Sequence, residues 1–160
     1  MKKTLLALML VVPALYAQAD EQSDCDAAGG SYISGTVVSG PRFARATQTL
    51  QGVQLSHTHI QVQADQDGQT YDVAMDNVYA GDYKLNSRYV PTSFKDFAVG
   101  TQVSMCGALY TSGVGIHWVH NNCGANPSSS QPDGWIKQMY SDGSVSDSYT
   151  ASQAYCYLWN

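Results

Sequence analysis

From Thr58 to Ala64 apolar and polar residues alternate without a break, and after Asp65-Gln66-Asp67-Gly68 they alternate again from Thr70 to Asp76. A period of two marks a strand with one face in a core, and a short Asp/Gly-rich step between two such runs marks a hairpin. The pattern turns Ile60, Val62 and Ala64 of the first strand, and Tyr71, Val73 and Met75 of the second, inward. His57, His59, Gln61 and Gln63 then face outward, together with Asp72 and Asp76. A four-residue loop sets His57 opposite Asp76, whereas a turn of Asp67-Gly68 alone sets His59 there. Either register brings an imidazole and a carboxylate together on the outer face.

The remaining segments arrange themselves around this hairpin. Ser34–Ser39 reads as an earlier strand, and Pro41 to Gly52, without a period, as a long loop. Tyr79 to Phe97 is irregular, with room for one or two helical turns at Ser93–Phe97. Gln102–Tyr110 and Gly115–His120 form a second hairpin across Thr111–Val114, with Trp118 expected to lie inward over Gly107. After the polar loop Asn121–Asp133, Trp135–Tyr140 and Ala154–Trp159 read as late strands. Strand, hairpin, irregular insert, hairpin is the order of an OB barrel. The expected fold is therefore mostly β: a small five-stranded OB-like barrel with extra C-terminal strands, stapled by disulfides. Neither an internal repeat nor a linker divides it.

Met1-Lys2-Lys3 followed by an apolar run to Tyr16, broken only by Pro13, reads as a secretory signal, and Ala17-Gln18-Ala19 supplies a small-x-small cleavage pattern. The expected division is a signal peptide over 1–19, a polar N-terminal tail over 20–33 held by Cys25, and a single domain over 34–160. No later stretch is apolar for long enough to span a bilayer as a helix, so the expected location is periplasmic or secreted. Cys25, Cys106, Cys123 and Cys156 all lie beyond the cleavage point, an even number suited to an oxidising compartment. Three connectivities are open; Cys25 with Cys106 and Cys123 with Cys156 is preferred because it pins both chain ends. The absence of a C-x-x-C pair argues against a metal site built from these cysteines.

Removing Lys2 and Lys3 takes the formal charge from -5 to -7, since all thirteen acidic residues lie at or beyond Asp20. An acidic domain with no visible basic cluster disfavours non-specific nucleic-acid binding and any large polyanion. The partner expected is a small ligand or a protein of the cell envelope.

Four histidines come as two pairs, His57-x-His59 and His117-x-x-His120. Two residues apart on a strand places both rings on one face, which suits a divalent metal or a shared anion. Three apart does not, so His120 reaches that face only where the chain leaves the sheet, which Asn121-Asn122 favour. On an OB barrel the outer face of the second and third strands is the usual ligand surface. Two chemistries fit it. One is a three-histidine centre of His59, His117 and His120 for a divalent metal such as zinc; the other is an acid–base pair in which Asp76 orients one ring. Histidines on a polar strand face are also ordinary surface residues; their pairing is what argues for a site.

Other motifs carry less. Ser34, Ser39 and Ser56 sit in no G-x-S-x-G elbow, and Asp65, Asp67 and Gly68 lack the downstream glutamate of a calcium loop. Trp135, Tyr140, Tyr155, Tyr157 and Trp159 fit core filling better than a platform for sugars or bases.

The runs His59–Ala64 with Gly68–Ala74, then Gly115-Ile116-His117-Trp118-Val119-His120-Asn121-Asn122-Cys123-Gly124, resemble the YukJ-like family of uncharacterised bacterial proteins. That family's pattern runs His, an alternating strand, a D-G-K-x-Y-type turn, and later G-I-H-x-I-H-x-N-x-G. Ile116–His120 followed by Pro132–Ile136 is similar to a second group of small exported proteins of unknown function. The likeness covers roughly half of the mature chain. It implies His59, His117, His120, Asn122 and Asp133 as a shared polar set, gives His57 no counterpart, and places Cys123 where the family has a polar residue. It supplies no activity.

The leading expectation is a hydrolase of phosphodiester or similar anionic bonds using His59, His117 and His120, with Asn122 as polarising donor and Asp76, Asp133 and His57 in support. Its rivals are a non-catalytic OB-type binding module for an oligosaccharide, peptide or protein, and a periplasmic metal-binding protein.

Overall fold

The computed structural model describes residues 13–124 and 126–159. The expected export signal lies outside the described residues as far as residue 12. Helix α1 (Pro13–Ala27) runs across the expected cleavage point. The stretch from Asp20, read as a tail held only by Cys25, is instead helical to Ala27 and docked. Glu21 is buried and pairs with Lys137 Nζ at 2.8 Å, and the Asp133 amide donates to the Ala28 carbonyl. Glu21 and Cys25 stand four apart on one helical face, so the face that forms a disulfide also forms an ion pair. Acidic composition alone conceals that.

The protein is mostly β. Its strands are β1 (Ser31–Ala44), β2 (Thr49–Leu50), β3 (Val53–Gln54), β4 (His57–Ala64), β5 (Thr70–Asp76), β6 (Gln102–Leu109), β7 (Gly115–His117) and β8 (Trp135–Gln138). β2 and β3 form a small separate hairpin. In the main sheet the order is β1-β4-β5-β7-β6-β8, and β1 also pairs with β6. All pairings are antiparallel except β5 with β7, where Asp72 faces Gly115 and Val73 faces Ile116. Gly115 permits that contact: a Cβ there would press into the Tyr110 ring and the Asp72 carbonyl.

β1 is longer at both ends than its sequence pattern indicates. Its first half pairs with β6 and its second half with β4, and register shifts between Val37 and Arg42 turn the strand from one partner to the other. Such bulges insert unpaired residues and break the alternation, which is why Pro41–Gly52 reads as a loop although β1 reaches Ala44. The β4–β5 loop is the four-residue one: Ala64 N donates to Gln69 O, and His57 pairs with Asp76.

Ile60, Val62, Ala64, Val73 and Met75 are buried as the alternation requires, alongside Val37, Val103, Met105, Ile116 and Ile136. Tyr71 is only half-buried and donates its hydroxyl to Asp67 at 2.9 Å. The expected helical turns exist as a 3-10 helix over Ser93–Asp96, carrying Phe94 into the same core as Phe97.

Two expectations fail at the C-terminal end. Trp118 does not cover Gly107; β7 ends at His117, and the space over Gly107 is taken by Val119 and Ile116. Ala154–Trp159 is not a strand. It has the β-prone aromatics but pairs with no sheet edge, and Cys156–Trp159 winds into a 3-10 helix, with Leu158 packed against Val53, Val78 and Tyr79. The disulfides are Cys25–Cys106 and Cys123–Cys156, the preferred pairing.

Cys25–Cys106 closes a separation of 81 residues between two fully buried cysteines. Replacing both with alanine is expected to cost about 4 kcal/mol, through the chain entropy regained by the unfolded state, read as a lower urea midpoint.

Candidate functional site

Three buried residues set the site before any histidine does. Asn77 follows β5, and its side chain accepts from Thr58 Oγ1 at 2.7 Å and donates to Ser56 Oγ at 3.0 Å, while its amide donates to the Ser56 carbonyl. Ser56 and Thr58 flank His57, and Asn77 adjoins Asp76, so this buried network fixes the outward pair in register. His57 Nε2 then donates to Asp76 Oδ1 at 2.9 Å.

The second carboxylate oxygen, Asp76 Oδ2, lies 3.3 Å from His120 Nε2. His120 is buried, and its Nδ1 donates to the Asn121 carbonyl at 2.8 Å. It reaches Asp76 because the chain leaves the sheet after His117. Trp118 has a φ of 55°, a left-handed conformation unusual for a bulky residue. The loop behind requires Gly134, since a Cβ there would meet the Trp118 and Cys106 carbonyls. Thr150 Oγ1 holds the Val119 carbonyl from the other side at 2.6 Å.

His117 completes the group. It lines a cleft of about 230 Å³ with His57, Asp76, His120, Tyr79 and Trp118. Burial, together with the neighbouring His120 and His57, holds its pKa below the ordinary histidine value, against the pull of Asp76. Burial would lower the pKa of His57 too, but the hydrogen bond and charge of Asp76 outweigh it and raise it. Burial likewise opposes ionisation of Asp76, yet the bonds from His120 and His57 hold its carboxyl far below the usual range.

His59 stands apart from this group. Its Nδ1 donates to Asp72 at 2.9 and 3.0 Å, and Tyr110 donates to the same carboxylate at 2.7 Å. Burial and Asp72 both raise the Tyr110 phenol. His59 and Asp72, with Arg42 on the neighbouring strand, line a separate cleft of about 200 Å³, although the His57 and His59 rings are only 6.2 Å apart. The expected set of His59, His117 and His120 is therefore not brought into one cleft; His57 takes the place of His59. Among the described residues no three His, Cys, Asp or Glu side chains are grouped to hold a metal ion.

Asn122 and Asp133 belong to the loop behind the site. Asn122 Nδ2 donates to the Gln131 carbonyl, and its amide donates to Asp133 Oδ1 at 2.9 Å. One side-chain N–H of Asn122 is thus engaged by the Gln131 carbonyl, and Asn122 does not line the cleft that holds His57, His117 and His120.

Sequence reasoning missed the aromatic row beside the histidines. Trp118 lies 4.9 Å from the His120 ring, His120 stacks on Tyr79 at 3.8 Å, and Tyr79 stacks on Trp159 at 5.5 Å. Burial and the Asp76 charge push the Tyr79 phenol well above its normal range. The signal available was Trp118 directly after His117 and Trp159 three residues after Cys156; Tyr79 has no such neighbour, and composition alone assigns all three to the core.

Asp76→Asn is expected to destabilise the protein by about 2–3 kcal/mol at pH 5–6, the scale of lost hydrogen bonds to a charged group. The depressed Asp76 stabilises above the ordinary carboxylate value near pH 4 and loses that effect as pH falls below it. The raised His57 stabilises below about pH 6.5 and loses that effect as pH rises through its folded value. Urea unfolding across pH should show the gap between wild type and variant widest between about pH 4 and 6.5, closing on both sides.

No family model, curated protein or solved structure matches this chain, so the geometry of the site is what speaks for its function.

Proposed function

We propose that the chain is an exported hydrolase of phosphodiester or similar anionic bonds, working in the His57–His117 cleft on an OB-like barrel. The observation that carries the reading is that Asp76 divides its two oxygens between His57 and His120, while His117 faces the same cleft. One ring is thereby pushed toward its charged form and another toward its neutral form, which is how a pair of like residues becomes an acid and a base.

In this mechanism neutral His117 takes the proton of an attacking water as the new bond to phosphorus forms. Cationic His57 gives its proton from Nδ1 to the leaving oxygen as the old bond breaks. The positive ring also offsets charge developing on the transferred group. Asp76 is a positioning residue that orients His57 and keeps it charged. The formal charge of -7 on the mature domain favours a small anionic ester over a polymer.

The barrel is supported by the ring of pairings β1-β4-β5-β7-β6-β1, with its parallel β5–β7 step and the Phe94-bearing turn between β5 and β6. The cleft then lies on the face such barrels use, with Gln48 of the β1–β4 connection on its rim. The same placement favours a second reading, a binding module without catalysis. The likeness to YukJ-like proteins accords with both readings, since His117 and His120 line the cleft and Asn122 and Asp133 brace the loop behind. Export is supported by two disulfides, which suit an oxidising compartment, and no helix among the described residues is long and apolar enough to cross a membrane.

A screen of small phosphodiesters and related anionic esters on oxidised protein tests the proposal. His57→Ala and His117→Ala should each lower kcat about 100-fold or more, the usual weight of a general acid or base. The pH profile should be a bell, rising through a value below that of an ordinary histidine as His117 loses its proton and falling through one above it as His57 does. Turnover untouched by both substitutions would sink the mechanism. No turnover with ligand binding retained would leave the binding module.

A further inference from the structure

A larger cleft of about 500 Å³ lies next to the histidines and shares Tyr79, Trp118 and Trp159 with the histidine cleft. Its other lining residues are Asn122, Gly124, Gln131 and the disulfide-bonded Cys123, so it carries aromatic faces and amides but no charged side chain. That inventory contrasts with the histidine cleft, where the ionisable groups are concentrated. Two clefts thus meet at a shared aromatic wall, one ionisable and the other neutral and aromatic.

The aromatic wall between them is built rather than incidental. Trp118 is held in its left-handed conformation by the close approach of Gly134 and by Thr150 on the Val119 carbonyl. Trp159 is carried to the opposite end of the row by the turn Cys156–Trp159, which the disulfide to Cys123 anchors. It remains 42% exposed, although an indole of this size gains by burial. Buried Tyr79 fills the middle of the row, stacked against His120 on one side and Trp159 on the other. The exposed Gln131 amide adds hydrogen-bonding capacity at the rim.

Aromatic faces take the C–H face of a pyranose or the plane of a base, while neutral amides take hydroxyl groups. Charged clamps, needed for a second phosphate or a carboxylate, are absent from this lining. From these observations we infer that the neutral cleft is a carbohydrate subsite: the anionic ester treated by His57 and His117 is attached to a sugar ring that lies against Trp118 and Trp159. This rests on the proposed reaction for the meaning of the anionic end, but the sugar subsite is a binding claim that stands or falls separately. The cleft volume suits one or two sugar rings.

Isothermal titration calorimetry on the oxidised full chain, with a panel of hexose 1-phosphates, the matching methyl glycosides, adenosine monophosphate and inorganic phosphate, tests it. At least one hexose 1-phosphate should bind about tenfold or more tightly than inorganic phosphate, because two joined groups fill two joined subsites. Trp118→Ala and Trp159→Ala should each cut that affinity by about tenfold, in line with the loss of one stacking surface, and weaken inorganic phosphate by much less. His57→Ala should weaken the phosphate-bearing ligands and spare the methyl glycosides. Gln131→Ala, on an exposed side chain that the fold does not need, should weaken sugar binding and serves if a tryptophan variant fails to fold.

A panel in which no hexose binds, or in which both tryptophan variants and Gln131→Ala bind like wild type, overturns the subsite. So does adenosine monophosphate binding more tightly than every sugar phosphate, which would make it a base subsite. Sugar binding without hydrolysis of any ester removes the proposed reaction and leaves this inference intact; hydrolysis indifferent to the tryptophans does the reverse.

Discussion

The register between β4 and β5 is the constraint on which the site rests. Strand side chains alternate, so a slip of one residue would turn Ile60 and Val62 to solvent and His57 and His59 into the core. The turn Asp65–Gly68 sets the count at one end of the hairpin. At the other, Asn77 bonds both Ser56 and Thr58 in a buried network with no water to compete. Held from both ends, the hairpin has one arrangement, and in that arrangement His57 and Asp76 face each other.

From that pairing the electrostatics follow. A carboxylate bonded to one imidazole would raise its pKa and do little else. Asp76 is shared, and its second oxygen draws the buried His120 toward the strand from a loop outside the sheet. The cost of burying a carboxylate is offset by two ring N–H groups, and the result is a cleft in an acidic protein where positive charge is locally favoured. His117, with neither a carboxylate partner nor full exposure, is shifted in the opposite direction. Environment alone therefore separates residues of the same chemical type.

How much of this was legible in the sequence depends on how local the determining interaction is. The β4–β5 hairpin, its inward residues, the 3-10 turn at Ser93 and the outward His57 and Asp76 follow from alternation and turn composition. The disulfide pairing followed from placing both chain ends on one domain. His59 was misassigned because strand spacing says which face a ring occupies and not which carboxylate will claim it. Asp72, diagonal to His59 on β5, turns that ring away and Tyr110 on β6 reinforces it. The helical state of Asp20–Ala27 depends on Lys137 and Cys106, more than 80 residues away in the chain, and no local pattern announces such partners. Trp118 was placed in the core because alternation was extended one residue beyond the end of β7, and a positive φ leaves no mark in composition.

The two disulfides do different work in this arrangement. Cys25–Cys106 joins the N-terminal helix to β6, and the Glu21–Lys137 ion pair ties the same helix to β8, so this end of the chain braces the sheet. Cys123–Cys156 instead joins the loop after His120 to the last turn, whose Trp159 stacks on Tyr79. Tyr79 in turn stacks on His120, and His120 contacts Asp76. The chain of contacts from that disulfide to the shared carboxylate is thus unbroken, running through three rings in van der Waals or stacking range. The aromatic boundary of the cleft is assembled from residues far apart in sequence, Tyr79, Trp118 and Trp159, and the covalent link is what keeps the last of them at the wall without a strand to hold it there.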